Sequence, residues 1–215
     1  CDDLVALYAS LLQNAGMQAA YIDLPGHVMV AFDSGLSPDE LSGTGLSEDN
    51  VVVALGTVWI PVEATYLEDS TFLDAWEQGV DRYRSEQAKG VVPEIVSIRD
   101  AQQVYQPAAF SLESDSLRLP ASPGDLEAAY AEQIGAVYAR VTRVRRAELE
   151  QQYAQTPSNL VVANELAILY AQSNRLDEAA SIYDDALKQS PASALLHNNY
   201  GNVLFQQDQY AAALE

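Results

Sequence analysis

The chain has 215 residues, 48% of them apolar, and carries 31 acidic against 11 basic side chains for a formal net charge of −20. That length allows one large domain or two small ones with real cores. The charge, with no Lys or Arg before Arg82, argues against nucleic acid and anionic membrane as partners, because phosphate binding needs a positive footprint. A single cysteine rules out an internal disulfide framework and a Cys-based zinc site. No apolar run reaches the ~18 residues that would cross a bilayer. Nothing points to a metal or cofactor, and no Asp-x-Asp-x-Asp-Gly loop supports a calcium-binding reading of the acidic surface.

The first stretch, CDDLVALYASLL, places Leu4, Leu7, Tyr8, Leu11 and Leu12 at helical spacing. Asp2 and Asp3 fall in the first turn, and Gly16 is a stop signal. Met17 to Asp23 reads as a strand, Pro25-Gly26 as a turn, and His27 to Asp33 as a second strand with His27 at its start. Residues 34–50, rich in Ser, Gly, Asp and Pro, read as an exposed loop. Val51 to Leu55 and Val58 to Glu63 read as a hairpin across Gly56-Thr57, with Pro61 suiting an edge or a bulge. Alternation puts Trp59, Pro61 and Glu63 on one face, opposite Val58, Ile60 and Val62. Glu63 then reads either as a solvated edge charge or as a carboxylate aimed at a histidine.

Phe72 to about Ala88 reads as a helix with Phe72, Trp76, Val80 and Tyr83 on one stripe, and Glu94 to Ile98 as a short strand. Residues 111–124 read as a linker, and a long helix is expected from Asp125 to about Gln155. Its basic run, Arg140, Arg143, Arg145 and Arg146, reads as a solvated helix face. From Leu160 the chain repeats: Leu166-Ala167 recurs 34 residues later as Tyr200-Gly201, and Ala179 as Ala213. His197, the other histidine, falls in the second copy and reads as a helix surface residue.

Cys1 admits three readings. It is a small buried side chain; or the start of a processed chain, as in a mature lipoprotein or an N-terminal nucleophile hydrolase; or a nucleophile at a helix N-terminus, where free N–H groups and the helix dipole favour a thiolate. The second reading fits poorly, because a helix begins at once where a tether or a strand would be needed.

Cysteine at a helix start, histidine at a strand start and an acid on the next strands is an order that resembles the transglutaminase-like cysteine enzymes, which share a papain-type core. CDDLVALYASLLQNAGMQAAYI looks like their nucleophile helix and following strand. PGHVMVAFD looks like the histidine strand, and VWIPVEAT resembles their Trp-x-x-Val-Asp-x-Thr element. The resemblance covers residues 1 to about 70. It implies an α+β papain/transglutaminase-like core, a nucleophile helix packed on an antiparallel sheet, over residues 1–110. By the same resemblance Cys1 would be the nucleophile, His27 its base, and Glu63 the acid that orients the imidazole and stabilises the imidazolium. The family usually has Asp at the last position. The implied reaction is attack on an amide or acyl carbonyl of a protein or peptide through a thioester, ending in hydrolysis or in transfer to an amine. The Cys1 backbone N–H is a candidate oxyanion donor.

Within 158–215, Leu166, Ala167, Tyr170, Ala179, Tyr183, Ala186 and Pro191 fall at the small/large spacing of a tetratricopeptide repeat, one copy complete and a second cut short. The resemblance implies an all-α superhelix that recruits a protein partner, with the helix over 125–157 capping its near end and further repeats following in a longer parent chain. The rival reading is a scaffold protein whose transglutaminase-like domain is inactive. The resemblance favours an extracytoplasmic setting, periplasmic or secreted, over a cytoplasmic one.

Overall fold

The computed structural model describes residues 2–41, 44–67, 70–105 and 122–214. The chain divides into two compact units, meeting in sequence near residue 122. Most of the expected linker, residues 111–121, lies outside the described residues, as does Cys1.

The first unit is α+β. Its helices are α1 (Asp2–Asn14), α2 (Phe72–Ala88) and α3 (Ile98–Val104). Its strands are β1 (Ala19–Leu24), β2 (His27–Asp33), β3 (Val52–Ala54), β4 (Thr57–Val62) and β5 (Glu94–Ser97). They form one antiparallel sheet in the order β3-β4-β2-β1-β5. α1 packs on β1 and β2, α2 on β4, and α3 on β1 and β5. One core gathers Ala20, Ile22 and Leu24 of β1 with Met29 and Ala31 of β2, Val52, Trp59 and Tyr83. These alternate residues share a face because side chains along a strand point to opposite sides in turn.

α1 closes as the sequence requires. Gly16, at φ +82°, takes the left-handed cap, with Gly16 N–H bonded to the Gln13 carbonyl and Met17 N–H to that of Leu12, both at 2.9 Å. Its buried stripe differs from expectation. Val5, Ala9 and Leu12 are buried, while Leu4, Leu7 and Leu11 are 43%, 58% and 58% exposed. The stripe is shifted toward Val5 and Ala9, with Leu12 of the expected set kept on the buried side.

The β3–β4 turn also differs. Ala54 pairs with Thr57, so the two-residue loop is Leu55-Gly56 and not Gly56-Thr57. Both loop residues have positive φ, 53° and 81°, as a hairpin turn matching strand twist demands. Within the expected loop of residues 34–50, Pro38–Leu41 forms a 3₁₀ turn. α2 begins on a full capping box: Thr71 Oγ1 accepts from Asp74 N–H at 3.2 Å, and Asp74 accepts from Thr71 N–H at 2.9 Å. α2 approaches β4 closely at Gly79. A Cβ there would sit 2.6 Å from the Pro61 carbonyl oxygen and 2.9 Å from the Val62 nitrogen.

The second unit is helical: α4 (Pro123–Val141), α5 (Arg143–Gln155), α6 (Leu160–Gln172), α7 (Leu176–Gln189) and α8 (Ala194–Gln206). The single long helix expected over 125–155 is two helices that meet at Thr142, whose hydroxyl bonds the Tyr138 carbonyl at 2.6 Å. Such back-bonding bends helices. The 34-residue repetition extends to the helix ends. Asn159 and Ser193, 34 apart, are the N-caps of α6 and α8. Asn174 and Asp208, again 34 apart, adopt φ of 57° and 61° after α6 and α8. Each is followed by the same paired bonds, Arg175 N–H to the Tyr170 carbonyl and Gln209 N–H to that of Leu204. Between these ends Ala167 and Ala179, both 0% exposed, let α6 and α7 approach, and Leu149, Leu166, Ile182, Tyr183, Leu196 and Val203 fill the core around them.

The basic run lies on a solvated face, with Arg143 and Arg145 exposed, and two of its arginines also make ion pairs there. Arg145 pairs with Glu165 across to α6 at 2.6 Å and with Glu148 at 3.5 Å, and Arg146 reaches Glu150 at 3.6 Å. Glu150 also accepts from the Tyr170 hydroxyl at 2.9 Å, and Arg175 lies 4.2 Å over the Tyr170 ring. Each exposed pair contributes little alone, but together they tie α5 to α6 and to the turn that follows it.

Candidate functional site

His27 stands at the first position of β2 because Pro25-Gly26 makes the preceding turn. Gly26 has φ +70°, and Leu24 pairs with His27 across it. β2 is paired with β4 such that Val30 faces Val62 and Ala31 faces Pro61. Carried two residues further, that register sets Glu63, in extended conformation just past β4, diagonally beside His27 on the same face. The side chains meet there: His27 Nε2 and Glu63 Oε2 are 2.6 Å apart.

Glu63 is 2% exposed, and a buried carboxylate is tolerated only when its oxygens are satisfied. Oε2 accepts from His27, while Oε1 accepts from the Thr65 hydroxyl at 2.8 Å, with the Thr65 N–H at 3.4 Å. The Glu63 backbone N–H is bonded to the Ala75 carbonyl of α2 at 2.9 Å. Main chain and carboxylate are therefore both held. Because an ionised carboxylate only accepts, the ring proton of this bond lies on Nε2, and Nδ1 is the basic nitrogen of the neutral imidazole. The ring itself is partly open to solvent, with 17% of its side-chain surface exposed. The arrangement is an oriented imidazole with its back against a buried acid.

No protein-family model matches the chain, and no curated protein sequence or solved structure is significantly similar to it.

Of the three residues singled out in the sequence, His27 and Glu63 are brought together, and Cys1 lies outside the described residues. α1 begins at Asp2 and packs on both β1 and β2. Sequence reading gave Thr65 no part of its own, although it closes the VWIPVEAT segment that carries Glu63. His197 lies on α8, exposed, with Nε2 2.8 Å from the Pro191 carbonyl, in accord with a surface role. Among the described residues there is no group of three or more His, Cys, Asp or Glu side chains able to hold a metal. No described helix is long and apolar enough to cross a membrane.

The second unit carries a groove of about 210 Å³ lined by Ile168, Gln172, Asn199, Asn202 and Gln206 among others. Asn164 Oδ1 accepts there from Asn199 Nδ2 at 2.8 Å and from the Tyr183 hydroxyl at 3.4 Å. Carboxamides of this kind offer both donors and acceptors to a main chain.

Proposed function

We propose that the first unit is a transglutaminase-like thiol enzyme domain with Cys1 as nucleophile, His27 as its base and Glu63 as the acid that orients the imidazole, joined to a tetratricopeptide array that engages a protein partner. The observation that carries this reading is the 2.6 Å bond between His27 Nε2 and the buried Glu63 carboxylate. It fixes the tautomer that leaves Nδ1 basic, the form a base must have to take a thiol proton.

In this mechanism the Cys1 sulfur gives its proton to His27 Nδ1 and attacks an amide or acyl carbonyl. The imidazolium, stabilised by Glu63, protonates the departing amine as the tetrahedral adduct collapses to a thioester. Water or a second amine then attacks the thioester, and His27 takes the proton from it, returning the thiol. Glu63 is one methylene longer than the family's usual Asp, and its carboxylate reaches His27 Nε2 at 2.6 Å while Thr65 holds the other oxygen.

The test is the pH dependence of Cys1 alkylation in the wild-type chain and in His27→Ala. The expected result is a rate midpoint well below the ~8.5 of an ordinary thiol, moving up when His27 is removed. A thiol that titrates ordinarily and is indifferent to His27 would leave the second reading, a scaffold in which the carboxamide-lined groove of the helical unit does the binding.

A further inference from the structure

We infer that Thr65 is a positioning residue, whose hydroxyl locks the plane of the Glu63 carboxylate so that Oε2 rather than open rotation faces His27. This inference rests on the assignment of His27 and Glu63 as base and orienting acid. Its basis is the division of labour around Glu63. The backbone is fixed by the bond from its N–H to the Ala75 carbonyl at 2.9 Å, which sets where the side chain starts. The last torsion of a glutamate, between an sp³ and an sp² carbon, is broad and roughly two-fold, so backbone fixation alone leaves the carboxylate plane loose. The Thr65 hydroxyl, 2.8 Å from Oε1, removes that freedom, and the second oxygen is delivered 2.6 Å from Nε2.

Packing gives no competing reason for a threonine. Thr65 is exposed on the short 3₁₀ turn Ala64–Tyr66, whereas its neighbour Ala64 is buried. Its hydroxyl points back to an acid buried beneath it, where a charge-assisted bond is shielded from water and stronger than its exposed position suggests. Glu63 also caps the turn, its Oε1 accepting from the Thr65 N–H at 3.4 Å, a contact that any non-proline residue at position 65 keeps. The hydroxyl alone is specific to threonine or serine.

The experiment compares Thr65→Val, which removes the hydroxyl while keeping the shape, with Thr65→Ser, which restores it, both in a His197→Gln background so that one imidazole remains. Nitrogen-15 histidine NMR reads the His27 tautomer and the exchange rate of its Nε2–H. The expected result is a single Nε2–H tautomer in the parent and in Thr65→Ser. In Thr65→Val exchange should be faster by about tenfold, the order expected for one lost charge-assisted bond. His27-dependent alkylation of Cys1 should fall by a similar factor in Thr65→Val, and Thr65→Val/His27→Ala should be no slower than His27→Ala alone. A Val spectrum identical to the parent's overturns the inference, and so does equal damage by Val and Ser. Because the NMR readout does not involve Cys1, a chain whose thiol ignores His27 but whose imidazole responds to Thr65 refutes the enzyme reading and leaves the positioning role standing.

Discussion

His27 and Glu63 lie diagonally on one face of adjacent antiparallel strands, joined at 2.6 Å, one partly open to solvent and the other 2% exposed. The asymmetry decides what each substitution costs. Removing His27 leaves a buried carboxylate with Thr65 as its nearest partner, and the loss of one member of a buried pair typically costs about 3 kcal/mol. His27→Ala should therefore lower the urea-unfolding free energy of the first unit by that order. Adding Glu63→Gln to it should recover part of the loss, because a neutral amide carries no stranded charge. Additive losses in that double variant would show that the two side chains are not energetically coupled.

Gly79 is required by space rather than by backbone conformation. The nearest atoms to its absent Cβ would be main-chain atoms of Pro61 and Val62, at 2.6–2.9 Å, and main chain cannot swing aside as a flexible side-chain tip can. Gly79→Ala should cost about 1–3 kcal/mol, the overpacking range, despite alanine's better helix propensity. Because Pro61 and Val62 lead into Glu63, the same variant should disturb the His27 Nε2–H signal. Unchanged stability would mean that α2 and β4 separate freely.

The β3–β4 turn offers a test in the opposite direction. Leu55 occupies a left-handed position at φ 53° with 62% of its surface exposed, a conformation unfavourable for a leucine and easy for asparagine. Leu55→Asn gives the preferred Asn-Gly pair and removes an exposed apolar side chain. Thermal unfolding should show a gain of about 0.5–1 kcal/mol. A loss would indicate that Leu55 is covered by something in the working protein.

These elements show where sequence was a sufficient guide. α2, β2, α6 and the histidine-to-acid order were legible because strong periodicity, a proline-glycine turn and the 34-residue repetition mark them. The stripe of α1 was misread because leucines outweigh Val5 and Ala9 in any hydrophobic pattern, while close helix–sheet approach selects the smaller side chains. Thr142 and Leu55-Gly56 were missed for a related reason. A hydroxyl bonded back to the carbonyl four residues before it and a leucine at positive φ run against local preference, and hydrophobic spacing registers neither. The pairing of Arg145 with Glu165 joins two helices and has no local signature at all.

Alkali provides a separate test of the helical unit. Burial pushes Tyr183 up to about 12, and burial together with the neighbouring Asp184 pushes Tyr200 up to about 12, against ~10 for an ordinary tyrosine. A folded-state value raised above the unfolded one means that the stability these residues contribute is fully present below pH ~10 and is lost as pH rises toward the folded value. Absorbance of tyrosinate and helical circular dichroism should therefore change together between pH ~10 and about 12. Ionisation of every tyrosine at its ordinary value with the helices intact would show that the Tyr183–Tyr200 contact, with ring centroids 5.9 Å apart, is open to solvent.

The caps of the helical unit keep the same 34-residue interval as its core: Asn159 with Ser193, and Asn174 with Asp208. Start signal, stop signal and packing residues thus travel together as one exchangeable length of chain. A duplication of that length hands the first helix of each new pair a ready cap on each side and adds another layer. Gain or loss of a single residue inside α6 or α7 instead turns the downstream helix by about 100° and pulls its buried face away from its cap. Growth of this unit is therefore quantised, and it can be lengthened only in whole steps.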